Sequence, residues 1–222
     1  MRKIQRRCKI LKCYLNKFYE LINKLEKFES IDEFLKSEQK YSKGVYFFFD
    51  PAEKINNGYN RIIRVGSHGL SAGVKSNLKG RLRQHKGFIN GGGNRRASVF
   101  RRHVGNAIIK KENFDENQVR DEVLEKMISD YINSLPLAVL LFEDKCKLRK
   151  DIEKKSIRLL SENMENININ WLGTYSNNEK IKKSGLWNIQ HVKIKKENEK
   201  CAEIKEFLIA LETLVKLQNN KE

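Results

Sequence analysis

The chain has 222 residues, of which 39% are hydrophobic and 33% are charged, and its 45 Lys and Arg outnumber its 28 Asp and Glu. The length suits one domain with extensions, and 11 Phe, 7 Tyr and 2 Trp exclude a largely disordered chain. No run approaches the roughly 18 apolar residues that span a bilayer, so we expect no membrane segment and a cytoplasmic protein whose four scattered cysteines are reduced thiols.

The positive charge is concentrated in one stretch of the sequence. Residues 61–111 hold 13 Lys and Arg and no Asp or Glu, whereas residues 1–28 hold nine bases and two acids. The first 28 residues also repeat apolar side chains at helical spacing, which is typical of a solvated surface helix. A long acid-free stretch favours contact with phosphates, so we expect a nucleic acid as the partner.

Periodicity and turn residues predict a mixed order of helices and strands. A long amphipathic helix over residues 3–28 precedes a short helix, for which Ser30 and Glu33 form a capping box. Two strands, at 43–49 and 61–66, flank a hairpin turn at Asn57-Gly58. The elements predicted after them are helices at 77–85 (capped by Ser76), 97–111 and 117–134, a central strand at 137–142, and helices at 148–160 and 197–218.

These elements predict an α/β (α+β) fold. We expect a small mixed or antiparallel sheet of about three strands, flanked by helices. The chain is then divided into a basic N-terminal helical extension at 1–42, a central domain at 43–192 and a C-terminal helix at 193–222.

Several polar and glycine-containing segments occur in a recognisable order. Gly44-Val45-Tyr46 lies on one strand and Arg64-Val65-Gly66 on the next, followed by Arg81 and His85 one helical turn apart and by Glu153 on a later helix. In this order and spacing the sequence resembles the GIY-YIG nuclease superfamily over residues 43–170. The segments GRLRQH, GGGN, SVFR, IE and SGLWN resemble a bacterial branch of it, restriction-endonuclease-like or uncharacterised, and extend the similarity to about Val192.

The resemblance implies that residues 43–192 form a GIY-YIG-like nuclease domain. Such a domain would hydrolyse DNA phosphodiester bonds with the help of a metal ion. The guanidinium fork of Arg81 can donate to non-bridging phosphate oxygens. Glu153 can hold Mg²⁺ or Mn²⁺, since Mg²⁺ accepts one carboxylate and several waters. His85 can accept a proton as general base near neutral pH, and Tyr46 can orient the attacking water or the phosphate.

Two positions of the implied site stay open. The resemblance implies an asparagine after the Glu153 helix, for which Asn163 is preferred and Asn166 is the alternative. Arg64 replaces the second signature tyrosine, so that the role of this tyrosine moves to another residue or is lost. The alternatives to an endonuclease are therefore a catalytically degenerate GIY-YIG-like protein that binds nucleic acid, and a basic structural or RNA-associated protein.

Double-stranded DNA is the expected partner of the acid-free stretch. The sequence leaves the oligomeric state open, and cutting both strands of a palindrome would require a dimer on DNA or sequential nicking. Trp171 and Trp187 are expected in the core, whereas His68 and His103 are expected to be ordinary loop and helix residues. The residues expected to contact the nucleic acid are Arg64, Lys75, Lys79, Arg83, Arg95, Arg96, Arg101 and Arg102.

Overall fold

The computed structural model describes residues 2–55, 57–68, 77–87, 93–115, 118–142, 146–162, 170–193 and 201–220, with the backbone alone at residues 2–9 and 146. These residues form eight α-helices and a four-stranded antiparallel sheet. The predicted α+β class is confirmed, with one strand more than expected. The elements are α1 (Arg2–Ile22), β1 (Lys27–Phe28), α2 (Ile31–Lys36), β2 (Gly44–Lys54), β3 (Asn60–Ser67), α3 (Leu78–Lys86), α4 (Val99–Glu112), α5 (Asp121–Asn133), β4 (Leu137–Leu141), α6 (Cys146–Glu162), a 3₁₀ helix (Leu172–Tyr175), α7 (Glu179–Ser184) and α8 (Cys201–Asn219).

The sheet has the strand order β1-β4-β2-β3. The prediction of a central strand at β4 is confirmed. It pairs with β1 on one side and with β2 on the other. The β2–β3 hairpin turns where the sequence predicts it, and Gly58 there has the positive φ of 82° that glycine adopts without strain. Because β3 lies at the edge, its outer main-chain groups need partners from elsewhere.

Two local predictions are wrong. The first helix ends at Ile22 rather than continuing to residue 28, because Lys27 and Phe28 pair with β4 and the Phe28 ring packs on Phe34 at 5.2 Å between centroids. Helix α3 is capped by Asn77, whose side chain accepts from the Gly80 N–H at 2.7 Å, and not by Ser76. The predicted cap at Ser30 is confirmed, since its hydroxyl accepts from the Glu33 N–H. The reciprocal bond of the box differs, because the Glu33 carboxylate accepts from the N–H of Glu29 at 2.6 Å rather than from that of Ser30.

The sheet separates two hydrophobic cores. Strand β2 alternates between them: Val45, Phe47 and Phe49 face α1, α6 and α8, whereas Tyr46 and Phe48 face α2 to α5. Both tryptophans are buried in the second core, as predicted. Among the described helices, none is long and apolar enough to cross a membrane. The division of the chain at residues 42 and 192 stays a prediction.

Candidate active site

The two signature segments meet where β2 begins and β3 ends. Tyr46 lies directly opposite Gly66, and its side chain is 1% exposed. A Cβ atom at residue 66 would lie 2.2 Å from Tyr46 Oη and 2.3 Å from Tyr46 Cζ, which is closer than atoms can approach. The glycine of the second segment therefore makes room for the tyrosine of the first.

His85 joins Tyr46 to a second hydroxyl group. Its Nε2 lies 2.8 Å from Tyr46 Oη, and its Nδ1 lies 3.1 Å from Ser98 Oγ. Burial lowers the pKa of His85 well below 6.5, and nearby positive charges, led by Arg64, lower it further. The ring is therefore neutral at pH 7, with one N–H and one acceptor nitrogen between the two hydroxyls.

Arg81 lies one helical turn before His85 on α3, and it is partly exposed whereas His85 is fully buried. Its Nη1 donates to Gln84 Oε1 at 3.1 Å. Burial lowers the pKa of both His85 and His68, and the charge of the nearby Arg81 guanidinium lowers each of them further. Helix α3 thus holds an imidazole inside the site and a cation nearer to the surface.

Arg64 lies on the same face of the sheet as Tyr46. Its guanidinium carbon is 4.3 Å from the centroid of the Phe100 ring, and its Nη1 donates to the carbonyl of Trp187 at 3.2 Å. The residue is 8% exposed. Arg64 is thus bound within the protein and adds positive charge beside His85, and its expected contact with a DNA phosphate stays a prediction.

Glu153 reaches the same end of β3 from α6, on the opposite face of the sheet. Its Oε2 accepts a hydrogen bond from the hydroxyl of Ser67, the residue after Gly66. Its negative charge also acts on His191. Burial lowers the pKa of His191, and the Glu153 carboxylate offsets only part of this lowering. The implied metal ligand and the Tyr46–His85 pair are thus linked through two consecutive residues of β3.

The surroundings of Glu153 fit a divalent cation held mostly through water. The carboxylate is partly exposed, and the described residues give its Oε1 no hydrogen-bond partner. No cluster of three or more His, Cys, Asp and Glu occurs in the described part of the chain. A hard cation such as Mg²⁺ is compatible with one carboxylate, several waters and the substrate phosphate.

Four neighbours of the site were not predicted as functional. Ser67 directly follows the second signature segment, and Arg149 precedes Glu153 by one helical turn, so both had a local signal in the sequence. Arg149 is fully buried, and its charge helps to lower the pKa of His68. The sequence predicts His68 to be an ordinary loop residue. Ser98 could not be recognised, because only the fold brings it to His85.

The predicted DNA-contacting cations differ in their availability. Arg83, Arg96 and Arg102 are exposed on α3, on the turn before α4, and on α4 itself. These three can meet a phosphate without breaking a hydrogen bond or ion pair to the described residues. Lys75 lies outside the described residues, as do Asn163 and Asn166.

Three other predicted cations already bind the protein. Lys79 Nζ donates to the carbonyls of Leu35 and Ser37, at the C-terminal end of α2. The guanidinium of Arg95 pairs with Asp121 at 3.2 Å. Arg101 is fully buried, so its expected contact with DNA is wrong: the charge is satisfied inside the protein by a carboxylate on α5.

The family model for the GIY-YIG domain matches residues 11–219. The chain belongs to the GIY-YIG family. Comparison with curated proteins found no match, and neither did comparison with solved structures. The match begins within α1 and includes all of α8, so the family model covers part of the first terminal helix and the whole of the last one. Membership supports a nuclease-type protein, in agreement with the resemblance seen in the signature segments.

Proposed function

We propose that this chain is a metal-dependent endonuclease that hydrolyses phosphodiester bonds in double-stranded DNA. The observation that carries the proposal is the hydrogen bond between Tyr46 and the buried, neutral His85, beside Gly66 and one turn from Arg81. Family membership supports nuclease chemistry. The exposed arginines of the acid-free stretch favour a polyanionic substrate.

The proposed proton path runs through the Tyr46 hydroxyl. As Tyr46 Oη takes a proton from the attacking water, it passes its own proton to Nε2 of His85. The lowered pKa of His85 leaves a ring nitrogen free to accept at neutral pH. The positive charge that His85 then acquires is opposed by Arg64 and Arg81, and the phosphate of the substrate offsets this repulsion.

The phosphate itself is stabilised by Arg81 in this proposal. Its planar fork can donate to the non-bridging oxygens, on which charge accumulates during the attack. A divalent cation at Glu153, when bound, would act as a Lewis acid on the phosphate and the leaving oxygen. Ser67 holds Glu153 Oε2, which leaves the other carboxylate oxygen for the cation.

The test is nicking of supercoiled plasmid with Mg²⁺ by wild type and by Glu153→Gln. We expect the variant to lose cutting, because the amide does not hold the cation. It should keep duplex binding, because a negative charge near the phosphate is removed. The matched control is Glu179→Gln, which changes an exposed carboxylate on α7 that pairs with Lys182 and Lys183. Mg²⁺-dependent nicking by Glu153→Gln at the wild-type rate would contradict the assignment.

A second candidate is a GIY-YIG protein that binds nucleic acid without cutting it. Arg64 favours it, because the signature tyrosine is absent and the arginine is packed between Phe100 and the Trp187 carbonyl. In that case wild type binds duplex DNA but does not nick it with any divalent metal, and Arg64→Tyr is expected to gain nicking. Competition between duplex DNA and RNA separates both candidates from an RNA-associated protein.

A further inference from the structure

The side chain of Arg101 donates six hydrogen bonds to the described residues around the site. Its Nε and Nη2 donate to Glu125 Oε2 at 3.2 and 2.5 Å, and Nη2 also donates to Ser129 Oγ at 3.0 Å. Its Nη1 donates to the carbonyl of His85 at 2.8 Å and to that of Lys86 at 3.0 Å. The guanidinium therefore ties the end of α3 to α5.

Two glycines enclose this guanidinium. A Cβ atom at Gly87 would lie 2.7 Å from Arg101 Nη1, and one at Gly93 would lie 2.2 Å from Arg101 Nη2. At Gly93 the same atom would also lie 2.6 Å from Glu125 Oε2. Residues with side chains at these positions would therefore force the ion pair apart, so the surrounding backbone is fitted to it.

Arg101 reaches His85 a second time through its own main chain. Its N–H donates to Ser98 Oγ at 3.4 Å, and Ser98 Oγ is also the partner of His85 Nδ1. One residue thus contacts both the carbonyl of His85 and the hydroxyl that binds its ring.

Stability alone is a weak reason for such an ion pair. Desolvating two charges offsets most of their attraction, and apolar residues of similar volume are often at least as stabilising. We propose that the Arg101–Glu125 ion pair is a positioning device, which fixes His85 so that its ring stays in hydrogen-bonding distance of Tyr46. The inference rests on the proposed nuclease function for its effect on rate.

The experiment compares Arg101→Lys and Ser129→Ala with wild type. Lysine keeps the positive charge but loses the guanidinium fork, whereas Ser129→Ala removes one partner and keeps the ion pair. The matched control is Asp121→Asn, which removes the charge of an exposed carboxylate on the same helix, one turn from Glu125, where it pairs with Arg95. Two properties are measured: kcat per folded molecule, and the ring ¹⁵N shifts of His85 in protein without DNA.

Arg101→Lys is expected to lower kcat about 10²-fold with little change in KM, because a displacement of about 1 Å in a catalytic group has this effect. The ring ¹⁵N shifts of His85 should change with it, less strongly in Ser129→Ala, and not in Asp121→Asn. Unchanged shifts and unchanged kcat in both variants would reduce the ion pair to a structural role. If wild type cuts no DNA, the proposed function fails, and the ring shifts alone decide the inference.

Discussion

The absence of a side chain at Gly66 leaves room for the ring of Tyr46. The ring of Tyr46 occupies the volume that any side chain at Gly66 would need. We expect Gly66→Ala to displace the Tyr46 hydroxyl from His85, to lower the stability by about 1–3 kcal/mol through overpacking, and to reduce nicking about 10²-fold. Denaturant unfolding and plasmid nicking measure the two effects.

The control for this prediction is Gly58→Ala in the β2–β3 turn. Gly58 has open space around it but a φ of 82°, so alanine there costs stability through the backbone, by about 1–2 kcal/mol. A loss of stability without a loss of nicking is expected. If both variants lost nicking in proportion to their stability, the contact between Gly66 and Tyr46 would have no special part in catalysis.

The buried imidazole of His85 makes stability depend on pH. Its pKa is near 6.5 in the unfolded chain and well below that in the folded one, so the unfolded chain binds more protons below pH 6.5. The contribution to stability is complete above pH 6.5 and is lost as the pH falls toward the folded pKa. The slope for one such group is at most about 1.4 kcal/mol per pH unit.

The measurement is the free energy of unfolding between pH 5 and pH 8 for wild type and His85→Gln. His68, His103 and His191 also have lowered pKa values and are present in both proteins, so the difference between the slopes reports on His85. A smaller slope is expected for the variant. Equal slopes would mean that His85 is protonated as readily in the folded protein as in the unfolded one.

The sequence predicts candidate residues that the structure brings close together, but it does not predict their exposure. Order and spacing point to Tyr46, His85 and Glu153, and the structure brings all three to one end of β3, while their catalytic roles stay a prediction. The burial of Arg64 and Arg101 could not be predicted, because it depends on Phe100, on Trp187 and on a carboxylate 24 residues away in the chain.

Among the elements, the edge strand β3 depends on the segment after α7. Asn188 forms two hydrogen bonds with one residue of β3: its Oδ1 accepts from the Val65 N–H at 3.0 Å, and its Nδ2 donates to the Val65 carbonyl at 2.7 Å. The neighbouring Trp187 N–H donates to the carbonyl of Ile63 at 2.7 Å. The segment therefore covers the open edge as another strand would.

Asn188→Ala should destabilise the protein by about 2–3 kcal/mol, because it leaves buried main-chain groups of Val65 unsatisfied. Asn188→Asp should cost at least as much, since a carboxylate would then face the Val65 carbonyl. The comparison is Asn178→Ala, which removes one exposed capping bond to Lys180 and should cost about 0.5–2 kcal/mol. Urea unfolding orders the three variants, and a smaller loss for Asn188→Ala than for Asn178→Ala would contradict this account.

The elements themselves were predictable where their signals were local. The hairpin turn, the Ser30 cap and the buried strands follow from turn residues, capping residues and apolar runs. Strand β1 has two residues, so its formation depends on pairing with β4 rather than on its own sequence. Edge coverage by Asn188 is also non-local, since 123 positions separate it from Val65.

For the whole molecule, net charge in the sequence differs from charge available at the surface. The stretch at 61–111 has no acid of its own, yet acids from other elements reach it: Asp32 pairs with Lys86, Asp121 with Arg95 and Glu125 with Arg101. Of the predicted DNA-contacting cations that the structure describes, Arg83, Arg96 and Arg102 remain exposed. The predicted basic surface is thus smaller than the count of basic residues indicates.

Salt dependence can test which face of the sheet binds DNA. A protein that loses one phosphate contact has a plot of log K against log salt that is flatter by about 0.9. Replacing Arg83, Arg96 and Arg102 by Gln should therefore flatten the slope by up to about 2.7. The matched control replaces Lys12, Lys205 and Lys216, exposed cations of α1 and α8 on the other face of the sheet, and should leave the slope nearly unchanged.

Both triple variants remove three positive charges, so a general effect of net charge would change both slopes alike. Flattening in the control alone would assign the DNA contact to the terminal helices. Deleting α1 is not a usable alternative, because Phe18, Tyr19 and Ile22 belong to the core and Tyr19 Oη accepts from the Ile62 N–H at 3.0 Å.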